Sequence, residues 1–174
     1  MKLTMMMAVT ADGMIGRNHA HFPDWTCRAD KIMFKTLTQK AGAVIFGSRT
    51  YEIIGKPLAG RLNVILTRHP ERYKSADNLV FSSDSPERLL KNLAQKGYDE
   101  VILAGGSIIN SLFVKSRLID EIVLTIAPKV FGQGVPLFSE SCDLNLELLG
   151  VQNLETNYLV LRYRVIYLAS NPRW

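Results

Sequence analysis

Cysteine is scarce in this chain. Cys27 and Cys142 stand far apart and outside any C-x-x-C spacing, which excludes a disulfide-stapled scaffold and a cysteine-built zinc site. The expectation is two free thiols in a reducing cytoplasm, and no metal. Long apolar runs are also missing: nothing approaches the roughly 20 residues a membrane helix needs, so no membrane partner is expected. The stretch Met1-Lys-Leu-Thr-Met-Met-Met-Ala-Val-Thr-Ala-Asp-Gly13 has too short an apolar run for a secretory leader and no small-x-small cleavage site. It reads instead as a buried first strand. Blocks of like charge, internal repeats, low-complexity tracts and linkers are absent, so residues 1–174 are expected to form a single domain. The missing charge block matters because Lys and Arg outnumber Asp and Glu by 21 to 16, a net charge of +5. Without a basic stripe interleaved with exposed aromatics, that excess points away from nucleic acid and toward an enzyme of small anionic ligands.

What is present fits a folded globule. Apolar residues make up 47% of 174 and charged residues 21%, enough to build a core without a covalent staple. Strand-like and helix-like segments alternate, the pattern of an α/β domain. Strands are expected at 2–8, 43–46, 62–66, 78–81, 101–104 and 121–130, and two more in 146–168, joined at 155–157. Helices are expected at 30–39, 49–54, 86–96 and 108–115. Ser85 as a cap, Pro86 at the first helical position and Gly97 at the end mark the third of these. Residues 10–25 read as turn. A chain that ends on antiparallel strands after several strand–helix units implies a mixed sheet.

Ligands of open α/β sheets lie beyond the carboxyl ends of strands, and three such turns carry chemistry. Gly105-Gly106-Ser107 lets the backbone approach a ligand and offers a phosphate the start of a helix; the alternative is an ordinary tight turn. It is not the G-x-G-x-x-G fingerprint, so a standard Rossmann site is not supported. Gly47-Ser48-Arg49-Thr50 puts a cation at a helix start, against the helix dipole, which makes sense beside an anion; the alternative is a solvated Arg. Thr67-Arg68 supplies a hydroxyl and a cation in an equivalent place. Asp30 opens a helix-like run. It is either a cap or a carboxylate at the mouth of an apolar cleft, able to bind the donor–donor edge of a heterocycle and favour ring protonation. Trp25 and Phe34 are then its aromatic walls, or simply core.

Together these segments resemble dihydrofolate reductase over almost the whole chain, most closely the thermophile-type dimeric branch that grades into the reductase domain of bifunctional riboflavin-pathway deaminase–reductases. The match is carried by Gly47-Ser-Arg-Thr-Tyr-Glu-Ile-Ile-Gly-Lys-Pro-Leu-Ala-Gly-Arg-Leu-Asn-Val-Ile-Leu-Thr-Arg68, by Asp12-Gly-Met-Ile-Gly16, and by Pro23-Asp-Trp25 followed by Asp30 and Phe34. The resemblance implies a three-layer α/β fold with a mainly parallel sheet, antiparallel C-terminal strands and helices on both faces. It implies NADPH-dependent hydride transfer to dihydrofolate. Asp30 then holds the pterin edge and promotes protonation at N5, and Trp25 positions a water beside it. Thr125 supports the carboxylate, Phe34 packs on the pterin–benzoyl unit, and Arg61 pairs the glutamate carboxylate through its bidentate fork. Ser48, Arg49, Thr50, Thr67 and Arg68 bind the 2′-phosphate and pyrophosphate. Gly105, Gly106 and Ser107 admit the pyrophosphate, while Ala8, Ile15 and Gly16 border the nicotinamide.

Departures from the family pattern qualify the substrate. Ser48 stands where an Arg is usual, Asn110 where many dihydrofolate reductases have Tyr, and Lys31 where an apolar residue is common. The segment 124–138 and Trp25-Thr26 resemble the riboflavin-pathway reductase domain at least as well. The alternative substrate is therefore a ribosylated aminopyrimidine, 5-amino-6-(5-phosphoribosylamino)uracil, or another pterin. The apolar residues Ile126, Val130, Val135, Leu137 and Phe138 exceed what one covered sheet face uses, and a homodimer burying part of 123–138 is expected.

Overall fold

A computed structural model describes residues 1–167 of the chain. Its elements, in order, are β1 (Lys2–Thr10), β2 (Met14–Gly16), α1 (Arg28–Ala41), β3 (Ala43–Gly47), α2 (Ser48–Ile54), β4 (Leu62–Leu66), β5 (Leu79–Ser82), α3 (Pro86–Gln95), β6 (Glu100–Leu103), α4 (Ser107–Lys115), β7 (Glu121–Ala127), β8 (Val135–Pro136), β9 (Asn145–Glu155) and β10 (Tyr158–Ile166). Eight strands form one sheet in the order β5-β4-β3-β6-β1-β7-β10-β9. Pairing is parallel from β5 through β7 and antiparallel for β10 and β9.

Strand side chains alternate between two buried faces. Leu3, Met5, Ala43, Ile45, Val64, Leu66, Val101 and Leu103 face α3 and α4, where Leu89, Leu90, Leu93, Phe113 and Val114 complete one core. Met6, Val44, Phe46, Ile65, Phe81 and Ile102 face the other way, toward Met33, Leu37 and Ala41 of α1 and Tyr51 and Ile54 of α2. This is the expected mixed, mainly parallel sheet with helices on both faces.

Several boundaries differ from those read in the sequence. Helix α1 starts at Arg28 rather than 30 because the Cys27 sulfur accepts from the Asp30 amide at 3.4 Å, and it runs on to Gly42, whose φ of +78° ends it. Strand β7 stops at Ala127 instead of 130, since Pro128 cannot donate to a ladder. Residues 14–16, expected as turn, form β2 and pair with β8. The two C-terminal strands turn at Asn157, with φ +69°; Leu168, expected at the end of the second, lies outside the described residues.

Exposure of apolar side chains also departs from expectation. In the 123–138 segment Val135 is buried and Leu137 and Phe138 are half-buried, where β8 folds back onto β2, and Ile126 is half-buried on β7 opposite Leu159 of β10; only Val130 of the five is exposed. A run of exposed apolar side chains lies instead on the edge strand β9, at Leu146, Leu148, Leu149 and Val151. Among the described residues no helix is long and apolar enough to cross a membrane, and no cluster of three or more His, Cys, Asp or Glu is placed to hold a metal.

Candidate active site

Two adjacent strand ends build the floor of a crevice. At the end of β3 the Gly47 amide donates to the Gly105 carbonyl at 2.9 Å, and the Ala104 amide donates to Ile45 O at 2.8 Å, stitching the turn after β3 to the turn after β6. Gly105 has φ +86°, open to glycine, and a Cβ there would stand 2.8 Å from the Met7 methyl carbon. The Gly105–Gly106 peptide is cis. Gly106 precedes helix α4 and gives it no side-chain cap, so the first amides of the helix are available to a ligand. A Cβ on Gly106 would lie 3.5 Å from Thr50 Oγ1, which measures how closely the two turns approach.

Above this floor is a cavity of about 640 Å³ lined by Ile15, Ser48, Arg49, Thr50, Thr67, Arg68, Gly106 and Ser107, among others. Eight of the residues singled out for cofactor contact thus line one cavity, though they come from the ends of β3, β4 and β6 and from β2. Arg49 and Arg68 are exposed at its edge. Uncapped amides, hydroxyls and two cations are a donor set suited to an anionic dinucleotide. Gly16 lies in β2 beside Ile15, where a Cβ on Gly134 of the facing segment would collide with Gly16 O; only glycine allows the ribbon to close.

Asp30 lies in the first turn of α1 and is 8% exposed. Burial raises its carboxyl above the ordinary value, while hydrogen bonds from Thr125 and Thr26 and the charge of Lys31 pull partly the other way. Thr125 sits on β7 directly opposite Ala8 of β1 in the sheet register, so the carboxylate, its supporting hydroxyl and Ala8 converge. Phe34 follows Asp30 by one helical turn and is half-buried. Trp25 is buried, and its indole Nε1 has no hydrogen-bond partner. A buried donor without an acceptor is unfavourable by about 1–3 kcal/mol, and it marks a place where a ligand or water belongs.

The loop around Trp25 is held from across the fold. The Asp12 carboxylate accepts from Thr10 Oγ1 and from the amides of Phe131 (3.1 Å) and Gly132 (2.7 Å), which keep its carboxyl below the ordinary value. Phe131 then meets Trp25 edge-on at 5.4 Å. The opening Asp of the Asp12–Gly16 motif therefore acts at a distance on the indole.

Arg61 stands apart from the crevice wall. Its Nε and Nη2 donate to Ala59 O at 3.1 and 3.0 Å, and Nη1 donates to Lys35 O at 3.3 Å and to Thr38 Oγ1. Four of the five guanidinium hydrogens are thus committed to the loop and to α1. Sequence reasoning missed Thr26 as a second support for Asp30. It also missed Asp84, which lines the cavity. Asp84 lies just beyond the end of β5, as Thr67 does for β4, and that strand-end position was the available signal.

The family described as RibD C-terminal domain matches residues 1–160. A Caenorhabditis elegans protein named "Putative dihydrofolate reductase" is 33% identical over 90% of this chain and 86% of its own length. Among solved structures, Acinetobacter baumannii RibD superposes with a TM-score of 0.81 at 22% identity, covering 95% of this chain, which spans 58% of that protein. Enterococcus faecalis dihydrofolate reductase, complexed with NADP(H), superposes with a TM-score of 0.76 at 21% identity over 94% of this chain and 96% of its own.

A carboxyl whose folded-state pKa is raised holds its proton more tightly folded than unfolded. Its contribution to stability is therefore present below the unfolded value and is lost as pH rises through the folded one. Asp30→Asn should unfold at higher denaturant than the parent at about pH 7, with the gap narrowing toward about pH 4. A gap that widens on acidification contradicts the burial of this carboxylate.

Proposed function

This chain belongs to the RibD C-terminal domain family, and on that premise we propose that it is an NADPH-dependent reductase whose acceptor is a dihydrofolate-type pterin. The observation that carries the reading is the buried Asp30 carboxyl, braced by Thr125 and Thr26, in a fold that also holds a buried indole N–H with no partner at Trp25. A nicotinamide cofactor supplies the hydride when bound. The residues of the chain do the rest. Asp30 accepts from N3–H and the 2-amino group of the pterin, which fixes the ring and favours a proton at N5 as the hydride arrives at C6. Trp25 Nε1 holds a water beside that carboxyl, Phe34 packs on the ring system, and the polar lining of the crevice orients the dinucleotide. Products are the tetrahydro form and the oxidised cofactor.

One observation favours a second acceptor. Arg61 has a single guanidinium hydrogen uncommitted, which weakens a bidentate clamp on a glutamate tail. A ribosylated aminopyrimidine needs no such clamp and still presents a donor edge to Asp30. NADPH oxidation measured in parallel with dihydrofolate and with 5-amino-6-(5-phosphoribosylamino)uracil separates the two. The expected result is turnover of dihydrofolate; turnover of the uracil alone reverses the assignment. Asp30→Asn should bind NADPH normally and lose about 10²–10⁴-fold in turnover, with partial recovery at low pH. Undiminished turnover at neutral pH removes Asp30 from the mechanism.

Arg49 and Arg68 on the cavity edge support NADPH over NADH, since a 2′-phosphate needs cationic partners. Arg49→Ala should cut the preference for NADPH by about 10–100-fold, the scale of one charged hydrogen bond. Unchanged relative affinities for the two cofactors would place the phosphate elsewhere.

Assembly as a homodimer is part of this proposal. The edge strand β9 leaves backbone groups unpaired beside Leu146, Leu148 and Val151, a combination that monomers usually avoid. Light scattering on an eluting peak should give twice 19.5 kDa; a mass of 19.5 kDa at micromolar protein contradicts it.

A further inference from the structure

The segment 25–30 carries Trp25, Thr26 and Asp30, and its first three residues belong to neither strand nor helix. Something other than the sheet must fix where the indole and the carboxyl stand. The start of α1 is poorly equipped to do so alone. Its N-cap is Cys27, whose sulfur reaches the Asp30 amide at 3.4 Å; a thiol is a weak acceptor, and Ser, Thr, Asp or Asn caps better. The Ala29 amide is one of the four that a helix start leaves without an intrahelical partner. It is answered from the far end of the chain, where Glu155 Oε1 accepts from it at 3.1 Å. The other end of the segment is held from the same place: Tyr158 Oη donates to the Trp25 carbonyl at 3.2 Å. Both side chains stand on the turn joining β9 to β10, where Glu155 and Tyr158 are partners in the strand register.

One turn thus grips the segment at Trp25 and at Ala29, on either side of Thr26 and immediately before Asp30. Burial, followed by the charges of Cys27, Glu155 and Asp30, pushes the Tyr158 phenol up, so its hydroxyl stays a donor. Neither Glu155 nor Tyr158 lines the dinucleotide cavity, and neither bonds the Asp30 carboxyl. We propose that Tyr158 and Glu155 are positioning residues: by holding the Trp25 carbonyl and the Ala29 amide, they set the indole and the Asp30 carboxyl for the acceptor without touching acceptor or cofactor. The inference rests on the reading of Asp30 given above. A displacement of about 1 Å at reacting groups can lower a rate about 10²-fold, so two bonds of modest strength suffice.

The test is turnover of dihydrofolate at saturating NADPH, normalised to folded protein, with 5-amino-6-(5-phosphoribosylamino)uracil as the parallel acceptor. Whichever acceptor the parent reduces carries the same ratios. Tyr158→Phe should lower kcat about tenfold and Glu155→Ala about threefold, the scales of one hydrogen bond and of one exposed charge at a helix start. NADPH should bind both variants as it binds the parent. Glu155→Gln keeps an acceptor oxygen at the same reach and should recover most of the lost rate; Glu155→Asp is shorter by one methylene and should not. Tyr158→Phe and Glu155→Ala together should lower kcat about 30-fold in the parent, but no more than about twofold in an Asp30→Asn background at the same low pH. Equal losses in the two backgrounds, or NADPH binding lost in step with kcat, mean that the turn only supports the fold and overturn the proposal. So does an unchanged kcat in the double variant. If that variant fails to fold, the comparison at position 155 decides, and equal rates for Gln and Asp overturn the proposal. A parent that reduces neither acceptor, or an Asp30→Asn variant as active as the parent, overturns the reading of the site itself, an outcome distinct from these.

Discussion

The position of β6 governs what this sheet can do. The chain leaves β1, crosses by α1 and returns as β3 one place too far away, and β6 later fills the gap. The two parallel neighbours β3 and β6 then send their continuations to opposite faces: α2 packs with the Met6–Phe46–Phe81 core and α4 with the Leu3–Met5–Phe113 core. Where neighbouring strands part in this way, backbone amides are left facing an opening that no element covers. The two turns at the centre of the cavity, 47–50 and 105–107, descend from that parting, and the Gly47–Gly105 bond keeps its two sides from drifting apart.

How much of this was legible in the sequence follows from how local each feature is. Turns at the ends of β3, β4 and β6 announce themselves by glycines, hydroxyls and an Arg within a few residues, so the cavity lining was readable from short windows. The central strands β1, β3, β4, β6 and β7 were readable too, because they are buried along most of their length and give near-continuous apolar runs. What escaped depends on distant pairing. Nothing near Val135 tells that β8 will fold over β2, so Leu137 and Phe138 read as exposed when they are half-buried. The C-terminal face of the molecule thus carries its apolar surface on β9 rather than on 123–138. Thr26 escaped for a different reason: it is only four residues from Asp30, but its hydroxyl meets the carboxyl because the first turn of α1 brings the two together.

Arg61 and Asn63 illustrate how one sequence motif can serve structure and chemistry in different measure. Asn63 is fully buried, accepting from the Leu58 amide at 2.8 Å and donating to the carbonyls of Leu58, Arg61 and Asn78. Arg61 extends this net to α1 through Lys35 O and Thr38. A stretch with such strong family resemblance is accounted for in large part by the loop between α2 and β4 having no regular structure of its own. Its backbone groups are satisfied by side chains instead. A guanidinium spent on carbonyls is a fixed strut, and its capacity for a substrate carboxylate falls by the same count of hydrogens.

The remaining polar atoms argue for a site prepared in advance of its ligand. Most buried polar groups in this fold are paired, as stability requires. Among the described residues two buried side-chain atoms are exceptions, the Trp25 indole donor and the Asn110 amide oxygen, and burial raises the Asp30 carboxyl even though two threonines pair it. Each is held rigidly by neighbours that are themselves satisfied. Asp30 is braced by two threonines, Trp25 is fixed through Phe131 to Asp12, and Asn110 is fixed through Leu137. Groups left unpartnered yet unable to turn toward one another lower the stability of the empty protein. They also remove the reorganisation that binding otherwise demands. The two apolar cores, which these groups do not enter, supply the stability that lets the crevice remain so.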